Sequence, residues 1–153
     1  MAFNMLHSRR TSLLQDMNIL FIEDERALAE SALLQLEHRG HRVQLAYTVK
    51  EARKVLADPF PEIDCVIADH RLPDGFGIHF VIGAKAVNPD REYAVVSGCL
   101  SDKNIAQLEK YGIPYFRKPL LYSHVLEQLR IASIQRKAAG KPNNTSPDPG
   151  IEP

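Results

Sequence analysis

The sequence predicts an α/β fold built on an open, doubly wound parallel sheet. Five short apolar segments alternate with five segments of helical periodicity, at the spacing of βαβ units. Three of the apolar segments are nearly continuous, as expected for strands that helices cover on both faces. The predicted strands are 18–22, 43–46, 65–68, 93–96 and 114–116. A chain of 153 residues suits one domain, which we predict at 18–138.

The composition argues against nucleic-acid and membrane partners. The 19 basic residues balance the 19 acidic residues, so no overall charge field favours nucleic acid. No apolar run approaches the roughly 20 residues that span a bilayer, and the N-terminus lacks the apolar core of a signal peptide. We therefore predict a cytoplasmic protein, with an N-terminal arm at 1–17 and a disordered tail or linker at 139–153.

Each predicted helix has recognisable boundaries. Leu28, Ala32 and Leu36 step by four along the first helix, and Gly40 follows at a favoured C-cap position. Thr48 begins the second helix with the spacing of a capping box. The remaining signals are Asn88-Pro89 after a helix at 78–87, Ser101 and Gly112 around the fourth helix, and Leu121, Val125, Leu129 and Ala132 along the fifth.

The cysteines and two of the histidines give no signal of a metal or catalytic site. Cys65 and Cys99 lie in or beside apolar runs, which favours core packing for both side chains. His70 and His79 have no second histidine or cysteine at ligand spacing. We interpret His70 as a loop residue and His79 as a helix-surface residue.

Polar side chains follow four of the five predicted strands. Ligands of open α/β sheets bind beyond the carboxyl ends of the strands, where these side chains would meet. The residues are Glu23 and Asp24 after the first strand, Asp69 after the third, Ser97 after the fourth and Lys118 after the fifth. Crowded carboxylates repel one another, and a hard divalent cation relieves that repulsion. A lysine and a hydroxyl suit phosphoryl oxygens, and an aspartate can form an aspartyl phosphate.

These residues resemble the receiver domain of two-component response regulators, over about Asn18 to Lys137. Pro73 and Gly77 follow Asp69 at the spacing of the loop after the family's phospho-acceptor. The other matching motifs are the acidic pair Glu23-Asp24, the hydroxyl residue in Ser97-Gly98, the lysine in Lys118-Pro119, whose peptide is usually cis, and an aromatic residue, Tyr115, three positions before that lysine. The resemblance implies a flavodoxin-like fold with strand order 2-1-3-4-5.

The resemblance also implies a role for each acid. Asp69 would accept a phosphoryl group from a phosphohistidine of a histidine kinase or histidine phosphotransfer protein. Asp24, Asp69 and the backbone carbonyl of Arg71 would bind Mg²⁺ or Mn²⁺ directly. Glu23 would act mostly through water, and its extra methylene departs from the commoner aspartate. Lys118 would hold a phosphoryl oxygen.

The remaining implied roles concern switching and access. Ser97 would bind a second phosphoryl oxygen, and Tyr115 would change rotamer as Ser97 moves. That change would alter the surface of the fourth helix, fifth strand and fifth helix. Arg71 and Cys99 would line the approach to the phosphoryl group.

The implied function is a signalling switch rather than an enzyme. Its output would pass to a downstream protein target or effector domain, and phosphorylation could drive homodimerisation. One alternative is a pseudo-receiver that keeps the fold as an interaction module without phosphoryl chemistry. Another is a flavodoxin-like enzyme or nucleotide binder, but the acidic segment 23–26 occupies the place of its glycine-rich loop.

Overall fold

The computed structural model describes residues 16–140, and its central feature is a five-stranded parallel sheet. The elements in chain order are β1 (Asn18–Ile22), α1 (Arg26–His38), β2 (Arg42–Ala46), α2 (Val49–Ala57), β3 (Cys65–Asp69), β4 (Arg71–Leu72), β5 (Gly75–Phe76), α3 (Gly77–Val87), β6 (Glu92–Ser97), α4 (Asp102–Lys110), β7 (Tyr115–Arg117) and α5 (Tyr122–Ala139). The sheet order is β2-β1-β3-β6-β7, which confirms the predicted flavodoxin-like order of the five main strands.

Two hydrophobic layers cover the sheet, one on each face. Leu20 and Val66 point to the layer that contains Ile78 of α3. Phe21 and Ile67 point to the opposite layer, with α1 and α5. Successive strand residues alternate between the layers because side chains alternate along a strand. Both layers are apolar, which is why β1 and β3 are nearly continuous apolar runs.

The structure adds a small hairpin that the sequence does not predict. Residues Arg71–Leu72 and Gly75–Phe76 pair antiparallel, directly after the end of β3. Strands of two residues are too short to show a period, so the pattern predicts only a loop here. The hairpin fixes the route from β3 to α3.

The helix signals are largely confirmed. Gly40 and Gly112 follow α1 and α4 with φ of 89° and 65°, a region that glycine enters without strain. Thr48 Oγ1 accepts a hydrogen bond from Glu51 N at 3.0 Å. Ser101 Oγ accepts one from Asn104 N at 3.1 Å. Both side chains therefore cap helices as predicted.

Two residues that step with the predicted helix periods lie outside the buried faces of their helices. Leu28 is exposed, and the neighbouring Ala29 takes the buried position on α1. Leu121 is an exposed N-cap residue, and Tyr122 is the first buried residue of α5. An apolar stripe is about 100° wide, so the period alone leaves its edge uncertain by one residue.

Two single residues also differ from their predicted environments. Cys65 is buried as predicted, but Cys99 is exposed because it follows the end of β6. His70 lies in the bend between β3 and β4, a loop position as predicted, but its side chain is buried, whereas His79 is exposed as predicted.

The ends of the chain lie mostly outside the described residues. The arm at 1–17 and the tail at 139–153 therefore stay predictions for the parts beyond residues 16–140. Met17, which we assigned to the arm, is buried against the core. No helix in the described part of the chain is long and apolar enough to cross a membrane.

Candidate functional site

The candidate site lies at the C-terminal edge of the sheet. Glu23 and Asp24 follow β1, Asp69 ends β3, Ser97 ends β6 and Lys118 follows β7. All these strands are parallel, so their last residues lie on the same side of the sheet. The β6–β7 ladder extends into the site, because Lys118 N donates a hydrogen bond to Ser97 O at 3.0 Å.

Three carboxylates converge at this edge. One oxygen from each of Glu23, Asp24 and Asp69 lies within 4.8 Å of the other two. Lys118 Nζ lies 2.6 Å from Glu23 Oε2 and 3.3 Å from Asp69 Oδ2. The side chains of Glu23, Asp69 and Lys118 are 2%, 13% and 20% exposed. The four side chains therefore form one half-buried cluster with an excess of negative charge.

The electrostatics of Glu23 and Lys118 reflect this crowding. Burial raises the pKa of Glu23, and the Lys118 ammonium only partly offsets that effect. Burial also opposes the charge on Lys118, but the hydrogen bond to Glu23 and the charge of Asp69 outweigh it, so its pKa is raised. Lys118 therefore stays an ammonium group at neutral pH. A hard cation suits the three carboxylates by its preference for oxygen ligands.

Backbone contacts hold Asp69 in place. Asp69 Oδ1 accepts a hydrogen bond from His70 N at 2.7 Å. Gly77 N donates to His70 O at 2.7 Å, where α3 begins. A Cβ atom at Gly77 would lie 1.8 Å from Asp69 O, which no side chain can tolerate. The chain therefore needs glycine at position 77 so that α3 can pass directly against the end of β3.

The other predicted site residues lie outside this cluster, and Ser97 and Tyr115 form hydrogen bonds to other groups. Ser97 is buried, and its hydroxyl donates to Cys99 O at 3.2 Å and accepts from Cys99 N at 3.3 Å. Tyr115 Oη donates to Glu109 Oε1 of α4 at 3.1 Å. Arg71 is exposed on β4, and Cys99 is exposed two residues after the end of β6. The structure thus brings the acids and Lys118 together, while Ser97 and Tyr115 have other partners.

The sequence does not predict the role of Asp74. Its carboxylate accepts hydrogen bonds from Val49 N at 2.8 Å and Lys50 N at 2.9 Å, and so caps α2 from the loop after β4. These backbone hydrogen bonds hold the pKa of Asp74 below its usual value. The turn Pro73-Asp74-Gly75 signals a tight turn, but not its contact with a helix far along the chain.

Known response regulators resemble this chain in sequence and in fold. No protein-family model matches the chain. The chain is 30% identical to the KDP operon transcriptional regulatory protein KdpE of Escherichia coli over 135 residues, which are 88% of this chain and 57% of KdpE. A CheY-like receiver domain from Methanospirillum hungatei superposes with a TM-score of 0.71 at 24% identity, covering 82% of this chain and 100% of that domain. The chain contains a response regulator receiver domain. Receiver domains are signalling switches of two-component systems.

A second solved structure bears on the chemistry of the receiver site. A response regulator from Burkholderia pseudomallei, solved with a phosphorylated aspartic acid, calcium ion and citrate, is 25% identical. It has a TM-score of 0.70, and the match covers 84% of this chain and 75% of that protein. The chain spans a little more than half the length of the response regulators KdpE and PmrA.

Proposed function

We propose that this receiver domain accepts a phosphoryl group on Asp69 from a phosphohistidine of a histidine kinase or phosphotransfer protein. The observation that supports this most strongly is the cluster in which Asp69 lies beside two further carboxylates and the Lys118 ammonium. Asp69 ends a buried strand and is 13% exposed, so a donor can reach an acceptor whose backbone is fixed. Fixed geometry of this kind lowers the entropy cost of transfer.

The transfer step exchanges one bond for another. An Asp69 carboxylate oxygen attacks the phosphorus, the phosphorus–nitrogen bond of the phosphohistidine breaks, and its electron pair stays on the imidazole. The product is an acyl phosphate on Asp69. Lys118 Nζ, which lies 3.3 Å from Asp69 Oδ2, would donate to a phosphoryl oxygen as charge develops there.

The donor set fits a divalent cation, Mg²⁺ or Mn²⁺. Asp24 and Asp69 would hold it together with the backbone carbonyl of Arg71. Glu23 already bonds to Lys118 at 2.6 Å, which supports an indirect role through water. When bound, the cation supplies positive charge that offsets the carboxylates and the incoming phosphoryl group.

The switch would involve Ser97 and Tyr115. Ser97 would leave Cys99 and donate to a phosphoryl oxygen, and Tyr115 would leave Glu109 and turn inward. This would change the surface formed by α4, β7 and α5, which would then contact a downstream target, an effector domain or a second copy of the chain. Arg71 and Cys99 would influence access to the phosphoryl group and therefore its lifetime. The cytoplasmic location stays a prediction.

A substitution of Asp69 tests the proposal. Wild-type protein incubated with acetyl phosphate and Mg²⁺ should gain one phosphoryl group by intact-mass spectrometry, and the Asp69→Asn variant should gain none. Asp64→Asn, which removes an acid just before the same strand, is the matched control and should label like wild type. Labelling of the Asp69→Asn variant would show that another residue is the phosphoryl acceptor. An unlabelled wild type, beside a receiver that does label, would favour the pseudo-receiver alternative.

Homodimerisation through α4, β7 and α5 has its own test. Light scattering with and without Mg²⁺ and beryllofluoride should show a doubled mass in the activated sample. An unchanged mass at concentrations that saturate the site would contradict dimerisation, while leaving the phosphoryl acceptor untouched.

A further inference from the structure

His70 directly follows the acceptor and has a buried side chain. The residue is 7% exposed, and its ring stacks on Phe76 with centroids 5.1 Å apart. Within residues 16–140, its Nδ1 atom forms no hydrogen bond. Buried polar atoms without a partner are uncommon and unfavourable, so packing alone would favour an apolar ring at this position. The imidazole therefore needs a reason beyond packing.

The other ring nitrogen supplies that reason. His70 Nε2 lies 3.2 Å from Nδ2 of Asn104, in the first turn of α4. With the amide as donor, the ring accepts at Nε2 and carries its proton on Nδ1. The backbone N–H of Asn104 bonds to Ser101, so the amide belongs to a capped and ordered turn. This hydrogen bond joins the acceptor strand to α4 across 34 positions of the chain.

His70 thus contacts both the acceptor and α4. Its backbone N–H donates to Asp69 Oδ1 at 2.7 Å, and its side chain bonds to Asn104. A hydrogen bond to an ionised carboxylate is about twice as strong as one between neutral groups. Conversion of Asp69 to an acyl phosphate moves the charge from the carboxylate to the phosphoryl oxygens. The bond that fixes the His70 backbone therefore weakens when Asp69 is modified.

We propose that the His70–Asn104 hydrogen bond is a latch that holds α4 in its resting position and is released when Asp69 is phosphorylated. This inference rests on the proposed function. It assigns His70 and Asn104 as positioning residues on a route separate from Ser97 and Tyr115. The latch links Asp69 to α4 from the β3 side of the sheet edge, whereas the Tyr115–Glu109 bond reaches α4 from β7.

Thermodynamic reciprocity gives the sign of the test. A bond that is lost on activation opposes activation, so its prior removal must favour the activated state. A net hydrogen-bond contribution of ordinary size corresponds to roughly a two- to tenfold change in an equilibrium constant. The Asn104→Leu variant should therefore reach half-saturation with beryllofluoride, in the presence of Mg²⁺, at a concentration about two- to tenfold lower than wild type.

The titration can be followed by ¹H–¹⁵N NMR shifts of the amides in β3 and α4. Gln107→Leu is the matched control, because it makes a similar polar-to-apolar change one turn later on α4, and it should saturate like wild type. A purely structural role for Asn104 would lower thermal stability and leave half-saturation unchanged. That outcome, or equal shifts in the two leucine variants, would overturn the latch.

Further variants guard against a local packing effect. Asn104→Ala should shift half-saturation in the same direction as Asn104→Leu. In a His70→Leu and Asn104→Leu cycle, the double variant should shift about as far as either single variant, because both remove the same bond. Fully additive shifts would overturn the latch. A wild type that shows no saturable response would overturn the proposed function itself, whereas a normal wild-type response with an unshifted Asn104→Leu variant would overturn the latch alone.

Discussion

Polar side chains have opposite roles at the two edges of the central sheet, which are formed by the N-terminal and the C-terminal ends of its parallel strands. At the N-terminal edge, polar groups bond to backbone atoms that need partners. Asp64 Oδ2 accepts from Asn18 N at 2.8 Å, and Arg91 Nε donates to Ile63 O at 2.7 Å. Tyr93 Oη, from the same edge, donates to a backbone carbonyl of α3 at 2.9 Å. Each of these contacts satisfies a backbone N–H or C=O group that folding would otherwise leave without a hydrogen-bond partner.

At the C-terminal edge, like charges are brought together instead. Three carboxylates lie within 4.8 Å of one another, and in the described residues their ion pairs are with one ammonium group, that of Lys118. Burial raises the pKa of Glu23, so folding disfavours its charge. The comparison teaches that one edge is arranged for stability, whereas the other keeps an unbalanced negative charge that the proposed divalent cation would offset.

The largest expected effect comes from the close contact between Gly77 and Asp69, the proposed acceptor. Gly77→Ala places a methyl group 1.8 Å from Asp69 O, so α3 and β3 must separate. We expect a loss of about 3 kcal/mol in the free energy of unfolding, typical of severe overpacking. We also expect phosphorylation by acetyl phosphate to slow at least about tenfold, in line with misplacement of reacting groups. Urea unfolding and intact-mass time courses measure the two effects.

Gly83→Ala is the control for that change. Gly83 lies in the same helix, and a Cβ there meets nothing within 4 Å. Alanine in a helix interior is favoured over glycine by about 0.5–1 kcal/mol, so this variant should gain stability and keep normal phosphorylation. Equal losses in the two variants would show that helix α3, rather than the contact with Asp69, is the sensitive element.

Two alanine substitutions, one at each edge, should change the free energy of unfolding in opposite directions. In metal-free buffer, Asp24→Ala relieves repulsion in the acidic cluster and should raise the free energy of unfolding by about 0.5 kcal/mol. Asp64→Ala removes the acceptor for Asn18 N and should lower it by about 1 kcal/mol. Urea unfolding measures both variants, with EDTA present throughout.

The phosphorylation assay separates the same pair by function. Asp24→Ala should lose most Mg²⁺-dependent labelling, and Asp64→Ala should label like wild type under conditions where both are folded. Two variants that both lose stability in EDTA would contradict the proposed contrast between the edges. Normal labelling of Asp24→Ala would show that Asp24 is not a ligand of the proposed metal site.

The contrast also explains which parts of the molecule the sequence predicts. β1 and β3 are buried on both faces, so their apolar runs identify them directly. Glu23 and Asp69 stand out because an acid at the end of such a run has no reason to be there on packing grounds. The parallel sheet then brings strand ends together without any knowledge of side-chain contacts. The cluster was therefore within reach of sequence reasoning.

The contacts around the cluster could not be predicted from the sequence. His70 follows Asp69 in a segment without a period, and its partner Asn104 is 34 positions away. Asp74 caps α2 across 24 to 25 positions, and the strands of the intervening hairpin are two residues each. A single sequence contains the side chains for such contacts, but their distances depend on how the loops pack, which no local pattern encodes.

The last expected effect concerns the pH dependence of stability at the N-terminal edge. His41 precedes β2, is buried, and accepts a hydrogen bond from Met17 N at its Nδ1 atom, 3.2 Å away. Burial lowers the pKa of His41, so the folded protein favours the neutral ring. Between the lowered pKa and about 6.5, the unfolded chain binds more protons than the folded protein. The free energy of unfolding should therefore fall as the pH drops below about 6.5, with a His41 contribution of at most about 1.4 kcal/mol per pH unit.

His41→Asn tests this contribution, because the asparagine carbonyl can still accept from Met17 N but does not titrate. Urea unfolding at pH 7.5, 6.5 and 5.5 should show a shallower decline for the variant than for wild type, with similar stability at pH 7.5. Lys118 would respond at the other end of the scale, since a raised lysine pKa contributes stability that is lost only as the pH rises above about 10.5. Parallel curves for His41→Asn and wild type would mean that the acid sensitivity comes from other groups. A steeper decline in the variant would mean that the folded protein prefers the charged ring, and the N-terminal edge would then resemble the C-terminal edge in holding charge.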